Sequence, residues 1–196
     1  MTWILWTELG PRCRGPLAFA AWLADRVGVR FADLVVPVHV LTAEHLRAAL
    51  RTRHLADLVD AERSAIAGTL AETVGPEAGA LDVVQATTAD EGLEEARERH
   101  GATGVIVARA AACEGRHVVR LGAVARRLVH RLASPVIVVP PDLTASSIGD
   151  GPVVAASSLG DDAVPACRLA RVVADATGRD LTILHVDEDE QPALAG

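Results

Sequence analysis

Short apolar runs alternate with stretches of helical periodicity along the first 140 residues. Residues 3–7 are apolar and end at Glu8-Leu9-Gly10-Pro11, a turn signal, so they read as a first strand. Leu17, Ala20, Ala21, Leu23 and Ala24 then fall on one helical face, and Gly28 stops that helix. Residues 34–41 are valine-rich and predict a buried second strand, with Pro37 inside it as a sign of irregularity or a neighbouring bulge. Thr42 opens a long amphipathic helix carrying Leu46, Leu50, Leu55, Leu58, Val59 and Ile66, which ends near Gly75-Pro76.

The alternation continues beyond that helix. Residues 81–85 are a third strand, and residues 88–100 a helix that is acidic early and basic late, as its dipole favours, with Gly101 as its stop. Residues 105–108 form a strand, about 121–132 a helix and 135–139 a fifth strand. Five short apolar strands separated by helices predict a parallel sheet with helices on both faces, an α/β fold of the Rossmann-like kind. Ligands of such folds bind at the carboxyl edge of the sheet, which makes the segment from Arg109 to Arg120 the first place to look.

Residues 142–151 are small, polar and glycine-containing, and read as a linker; the chain then restarts. An offset of 150 residues aligns Leu9 with Leu159, Gly10 with Gly160, Ala20 with Ala170, Ala24 with Ala174, Asp25 with Asp175 and Gly28 with Gly178. After a small change in length, His39-Val40 matches His185-Val186. The expected organisation is a domain over 1–141, the linker, and an incomplete second β-α-β repeat with an acidic tail over 152–196. One strand–helix–strand cannot bury both of its faces alone.

Composition narrows the chemistry. A net charge of −7 argues against a nucleic-acid or membrane-surface binder. Every positive side chain is arginine, so neither Schiff-base chemistry nor a Walker-type phosphate lysine is available. Three cysteines without framework spacing suit reduced thiols in the cytoplasm. The first ten residues lack the basic start of a signal peptide, and no apolar run approaches a membrane span.

Four motifs, in order, resemble the universal stress protein family in its tandem form. They are Thr7-Glu8 after the first strand, His39-Val40 ending the second, Leu121-Gly122-Ala123-Val124-Ala125 opening the last helix, and Ala133-Ser134-Pro135-Val136-Ile137-Val138-Val139-Pro140 at the closing strand. The resemblance implies strand order 3-2-1-4-5 and homodimerisation, with Pro135 to Val139 as the candidate surface. In many members it also implies ATP or AMP bound through a Gly-x2-Gly-x9-Gly-Ser/Thr pattern. The residues it places at such a site are Glu8, Val40, Arg109, Ala112, Gly122, Ala123 and Val124.

This chain departs from that pattern. Arg109 and Ala112 stand at the first two glycine positions and Ala123 at the hydroxyl position, so Gly122 alone is retained. Side chains at glycine positions fill the space of the phosphates, and the lost hydroxyl removes a bond worth about 0.5–1.5 kcal/mol. Trp6 is bulky where the family has a small residue, and would fill the adenine space or stack on another planar ligand. The expectation is therefore a cytosolic regulatory module acting by dimerisation or partner binding, with a degenerate nucleotide site and no cofactor or metal. The alternative is an ATP- or AMP-binding member with weak ATPase activity.

Other polar residues admit plainer roles. Arg109, Arg116, Arg120 and His117 could form an anion site, but exposed arginines are common. Cys13, Cys113 and His117 could form a redox or metal site, but they lack ligand spacing and buried cysteines usually only pack. His39 and His185 share one repeat position, which favours a structural hydrogen bond over catalysis. No serine–histidine–acid or paired-carboxylate arrangement follows from the spacing.

Overall fold

A computed structural model describes residues 1–8, 13–49, 55–76, 78–109, 121–132, 134–157, 160 and 163–185. The chain divides into two units, Met1–Ile148 and Gly149–Gly196.

The first unit contains strands β1 (Trp3–Trp6), β2 (Val35–Thr42), β3 (Asp82–Ala86), β4 (Gly104–Ala108) and β5 (Val136–Val139). All pairings are parallel and the order is β3-β2-β1-β4-β5. The helices are α1 (Arg14–Arg26), α2 (Phe31–Leu34), α3 (Ala43–Ala49), α4 (Leu55–Val74), α5 (Ala89–Arg99) and α6 (Ala123–Arg131). From β1 the chain steps one way to β2 and β3, then crosses back to β4 and β5. Right-handed crossovers therefore put α1 and α4 on one face and α5 and α6 on the other. The packing agrees: α1 lies against α4, and α5 against α6.

Strand alternation divides the core between the faces. Ile4, Val38, Val40, Val84, Val105 and Val107 meet Leu93 and Ala96 of α5 and Ala125 and Leu128 of α6. Trp3 and Leu5 point to the opposite face, where Leu17 of α1 and Ile66 and Leu70 of α4 are buried. Each large side chain removed from water in this way contributes about 1.5–3 kcal/mol before the entropy cost of ordering it. The approach of α5 to β2 needs a glycine at position 92. A Cβ on Gly92 would stand 2.5 Å from a methyl of Val40.

The secondary-structure expectations are largely met. β2 is regular through Pro37, which pairs with Leu5. The reason lies in the ladder. Val38 turns its carbonyl to β1, accepting from Thr7 N–H at 2.8 Å, so Pro37 faces the β3 side. There the pairing starts only at Val38, and the missing N–H costs nothing. The single helix expected from Thr42 is described as α3 and α4, with residues 50–54 between them outside the described residues. The short α2 has no counterpart in the sequence pattern, because four residues are too few for helical periodicity to show.

Residues 140–148 belong to the first unit by contact. Ala145–Ser147 is a 3-10 turn with a capping box at Thr144. Gly15 N–H donates to Pro141 C=O at 3.1 Å, so the chain after β5 closes the first turn of α1. Gly15 is required for this contact, because a Cβ there would lie 1.9 Å from Pro140 O.

The second unit is β6 (Val153–Ala156), α7 (Val164–Thr177) and β7 (Leu181–Leu184), with the two strands parallel. It repeats the first β-α-β in register. Trp3 pairs with Val35 and Val153 with Leu181, an offset of 150 on the first strand and 146 on the second. Thr7 N–H donates to Val38 O at 2.8 Å, and Ser157 N–H to Leu184 O at 2.9 Å. Gly28 and Gly178 both end their helices at positive φ, 68° and 65°. Burial separates the copies. Ile4 and Val38 are 0% exposed beneath α5 and α6, whereas their counterparts Val154 and Leu184 are 56% and 51% exposed.

One buried ion cluster ties α5 to α6. Asp90 accepts from Arg127 Nε at 2.8 Å and from an Arg131 guanidinium nitrogen at 3.2 Å. Burial pushes its carboxyl up. The Arg127 hydrogen bond, a backbone N–H and the Arg127 charge outweigh that and hold it below the ordinary aspartate value. A folded value below the unfolded one means that the stabilisation is present above the unfolded value and is lost as pH falls through the folded one. Asp90→Asn is expected to cost about 1–3 kcal/mol at neutral pH, as loss of hydrogen bonds to a charged group does. Urea unfolding of both proteins from pH 7 to pH 2.5 should show that difference shrinking in acid.

Candidate functional site at the carboxyl edge of the sheet

The carboxyl ends of β1 and β4 face the reversal in strand order, where this class of sheet opens a crevice. Thr7 stands at its base, fully buried. Its N–H and its hydroxyl both donate to Val38 O, at 2.8 and 3.0 Å. Thr7 C=O lies 2.8 Å from His39 Nδ1, and His39 Nε2 lies 2.7 Å from Glu62 Oε2 on α4. A carbonyl and a carboxylate both accept. The carbonyl therefore accepts from Nδ1–H, and Nε2 and the Glu62 carboxyl form the second hydrogen bond. His39 and Glu62 join the lip of the crevice to a helix on the α1 face. Sequence spacing offered no sign of the Glu62 partner, because it sits 23 residues away.

The sequence-derived site residues fall into three groups. Glu8 is half-buried at the end of β1. Arg109 is half-buried beyond β4, and its N–H is committed to Val139 O at 2.7 Å, extending the sheet ladder. Gly122, Ala123 and Val124 open α6. Gly122 is the N-cap at φ −59°, ψ 160°, an extended conformation open to any residue. Val40 is buried in the cluster under α5. Ala112 lies outside the described residues, as do Cys113, Arg116, His117 and Arg120.

Two details shape what this edge can hold. Trp6 packs against the apolar cluster that includes Val40, Val107 and Ala125, with Val124 packed on the same cluster. It therefore occupies apolar space beside the crevice. The first turn of α6 carries no acidic residue, and no side chain caps it. Its amide groups give this end of the helix partial positive charge, while the start of α1 is closed by Pro141.

Among the described residues no group of three or more histidine, cysteine, aspartate or glutamate side chains stands together to hold a metal ion. Cys13 is the N-cap residue of α1 and is buried. Burial pushes its thiol above the ordinary value, with its own backbone hydrogen bond and Arg14 pulling partly back. Such a thiol is a poor nucleophile. No helix among the described residues is long and apolar enough to cross a membrane.

No family model matches the chain, and no protein of curated function matches its sequence. Solved structures do match. A universal stress protein from Archaeoglobus fulgidus superposes with a TM-score of 0.51 at 17% identity, over 71% of this chain and 98% of its own. Another from Archaeoglobus fulgidus DSM 4304 gives a TM-score of 0.67 at 19% identity, over 97% of this chain and 68% of its own. This chain has the universal stress protein fold. Its sheet order is the one that the motif resemblance implied, and the 97% coverage takes in residues of both units. At these identities the likeness fixes the arrangement of strands and helices and leaves the site to be argued from its own side chains.

The His39 bridge is testable by stability. Glu62→Ala leaves a buried ring nitrogen without its partner and should cost about 1–3 kcal/mol. His185→Ala, at the exposed counterpart in the second unit, should stay within about 0.5 kcal/mol of wild type. Guanidinium denaturation of both variants checks the contrast.

Proposed function

We propose that this chain is a universal-stress-type regulatory module of tandem kind. It acts in the cytoplasm through self-association or a protein partner, and its nucleotide site is degenerate. The observation that carries this reading is the placement of Trp6 against the Val40, Val107 and Ala125 cluster. An indole there takes up apolar space that a planar base would need. The committed Arg109 amide and the absence of a hydroxyl at Ala123 support the same conclusion.

The surface for self-association is the free edge of β5. Val105 N–H donates to Pro135 O and Arg109 N–H to Val139 O, so alternate residues Val136 and Val138 direct their backbone polar groups away from β4. This is an apolar edge strand of four aliphatic residues, whereas the other edge, β3, carries Asp82 and Gln85. Unpaired apolar edges are templates for a second strand.

A second reading, ATP or AMP binding with weak hydrolysis, draws on the uncapped first turn of α6, whose amides suit an anion. Mass spectrometry of small molecules released by denaturing the purified protein decides between the two. The expected result is no stoichiometric adenosine phosphate, and its recovery would overturn the degenerate-site reading. Val138→Pro removes an outward N–H without touching the β4 ladder. Sedimentation equilibrium should show wild type as a dimer and this variant as a monomer; an intact dimer would rule out the β5 edge.

A further inference from the structure

The chain does not leave the first unit at the end of β5. Residues 140–148 stay on that unit and cross the start of α1. Pro141 O accepts from Gly15 N–H at 3.1 Å, Pro140 O accepts from Leu143 N–H at 3.3 Å, and α1 packs on both β5 and the 3-10 turn at Ala145–Ser147. Two consecutive prolines fix φ and stiffen the path. The turn is tied by its own groups: Ser147 Oγ–H donates to Thr144 O at 2.7 Å, and Thr144 N–H donates to Ser147 Oγ at 3.0 Å. Residues 144–147 are all exposed, so hydrogen bonds rather than burial hold this turn. Past Ile148 the constraint ends, since an added Cβ on Gly149 or Gly151 would meet nothing within 4 Å.

The start of α1 is where this strap acts. In a parallel sheet the helix after a strand begins at the carboxyl edge, so α1 opens at the same edge as Trp6 and Glu8. The first N–H groups of a helix have no partner within it. Gly15 N–H is one of these, and Pro141 O satisfies it. Cys13, two residues earlier, is the buried N-cap. We infer that residues 140–148 are a latch on the start of α1. Seated, the latch closes the first turn of the helix; released, it opens the α1 side of the carboxyl edge and exposes Cys13. Release is a local event that leaves the sheet intact, because exposed hydrogen bonds open at lower free energy than a buried core.

Two rates on the full chain test the latch, both read by mass spectrometry. One is alkylation of Cys13 by N-ethylmaleimide. The other is cleavage of the Pro141–Asp142 bond by an endoproteinase that cuts before aspartate. Ser147→Ala unties the exposed turn and should speed both about two- to tenfold, as loss of a hydrogen bond does. Gly15→Ala drives a methyl group into Pro140 O and should speed both by about tenfold or more. Circular dichroism checks that the fold is kept, and Ser147→Ala decides the matter if Gly15→Ala does not fold. Both rates should stay nearly flat in low urea, because local opening exposes little surface. Unchanged rates in folded Ser147→Ala overturn the inference, as does a rise in only one of the two. Rates that climb with urea in step with global unfolding overturn it as well.

Discussion

The position of β1 governs the first unit. It is paired on both edges, to β2 and to β4, and covered on both faces. Ile4 and Leu5 point in opposite directions and are both removed from water. Its register with β2 sets where Thr7 stands against Val38, and that places the Thr7 carbonyl in reach of His39. The crevice at the carboxyl edge exists because β2 and β4 leave β1 on opposite sides. Trp6 and Glu8 are placed at this edge by β1 itself, and Arg109 by β4 paired beside it.

The second unit shows what that arrangement requires. It reproduces the strand register, the helix stop and the histidine–carbonyl bond of the first. The positions that α4, α5 and α6 cover in the first unit stay exposed in the second. Burial by later elements is the part of the fold that local sequence does not supply. Exposed apolar faces on a repeated unit are the usual mark of surfaces that meet another element or chain.

Function at the carboxyl edge turns on small side chains. A glycine cradle, a hydroxyl and a small residue at the Trp6 position would make an anion and base site. In this chain Arg109, Ala123 and Trp6 stand at those positions. Under the function we propose, contacts run through the β5 edge strand rather than through a captured ligand. The ties that hold the scaffold are separate from these surfaces. Asp90 with Arg127 and Arg131 fixes α5 to α6, and Glu62 with His39 fixes α4 to β2.

Much of this was legible in the sequence because period-2 and period-3.6 patterns report which side of an element is buried. They located all five strands and most helices, and the repeated Leu-Gly, Ala, Asp and Gly positions disclosed the second unit. The motifs also placed Glu8, Arg109 and Gly122 to Val124 near the carboxyl edge. What pattern could not supply was pairing between distant polar groups. Glu62 on His39, the two arginines on Asp90 and Pro141 on the start of α1 all join residues far apart in the chain, and nothing in local periodicity encodes them. Pro37 makes the same point in reverse: a residue that sequence alone marks as a disruption is harmless where the neighbouring strand has not begun. The sequence by itself determined the order and type of the elements, since those follow from local burial and turn chemistry. Only the tertiary structure decided which polar groups meet and which apolar faces stay bare, because those depend on the register and crossing of segments that local sequence does not compare.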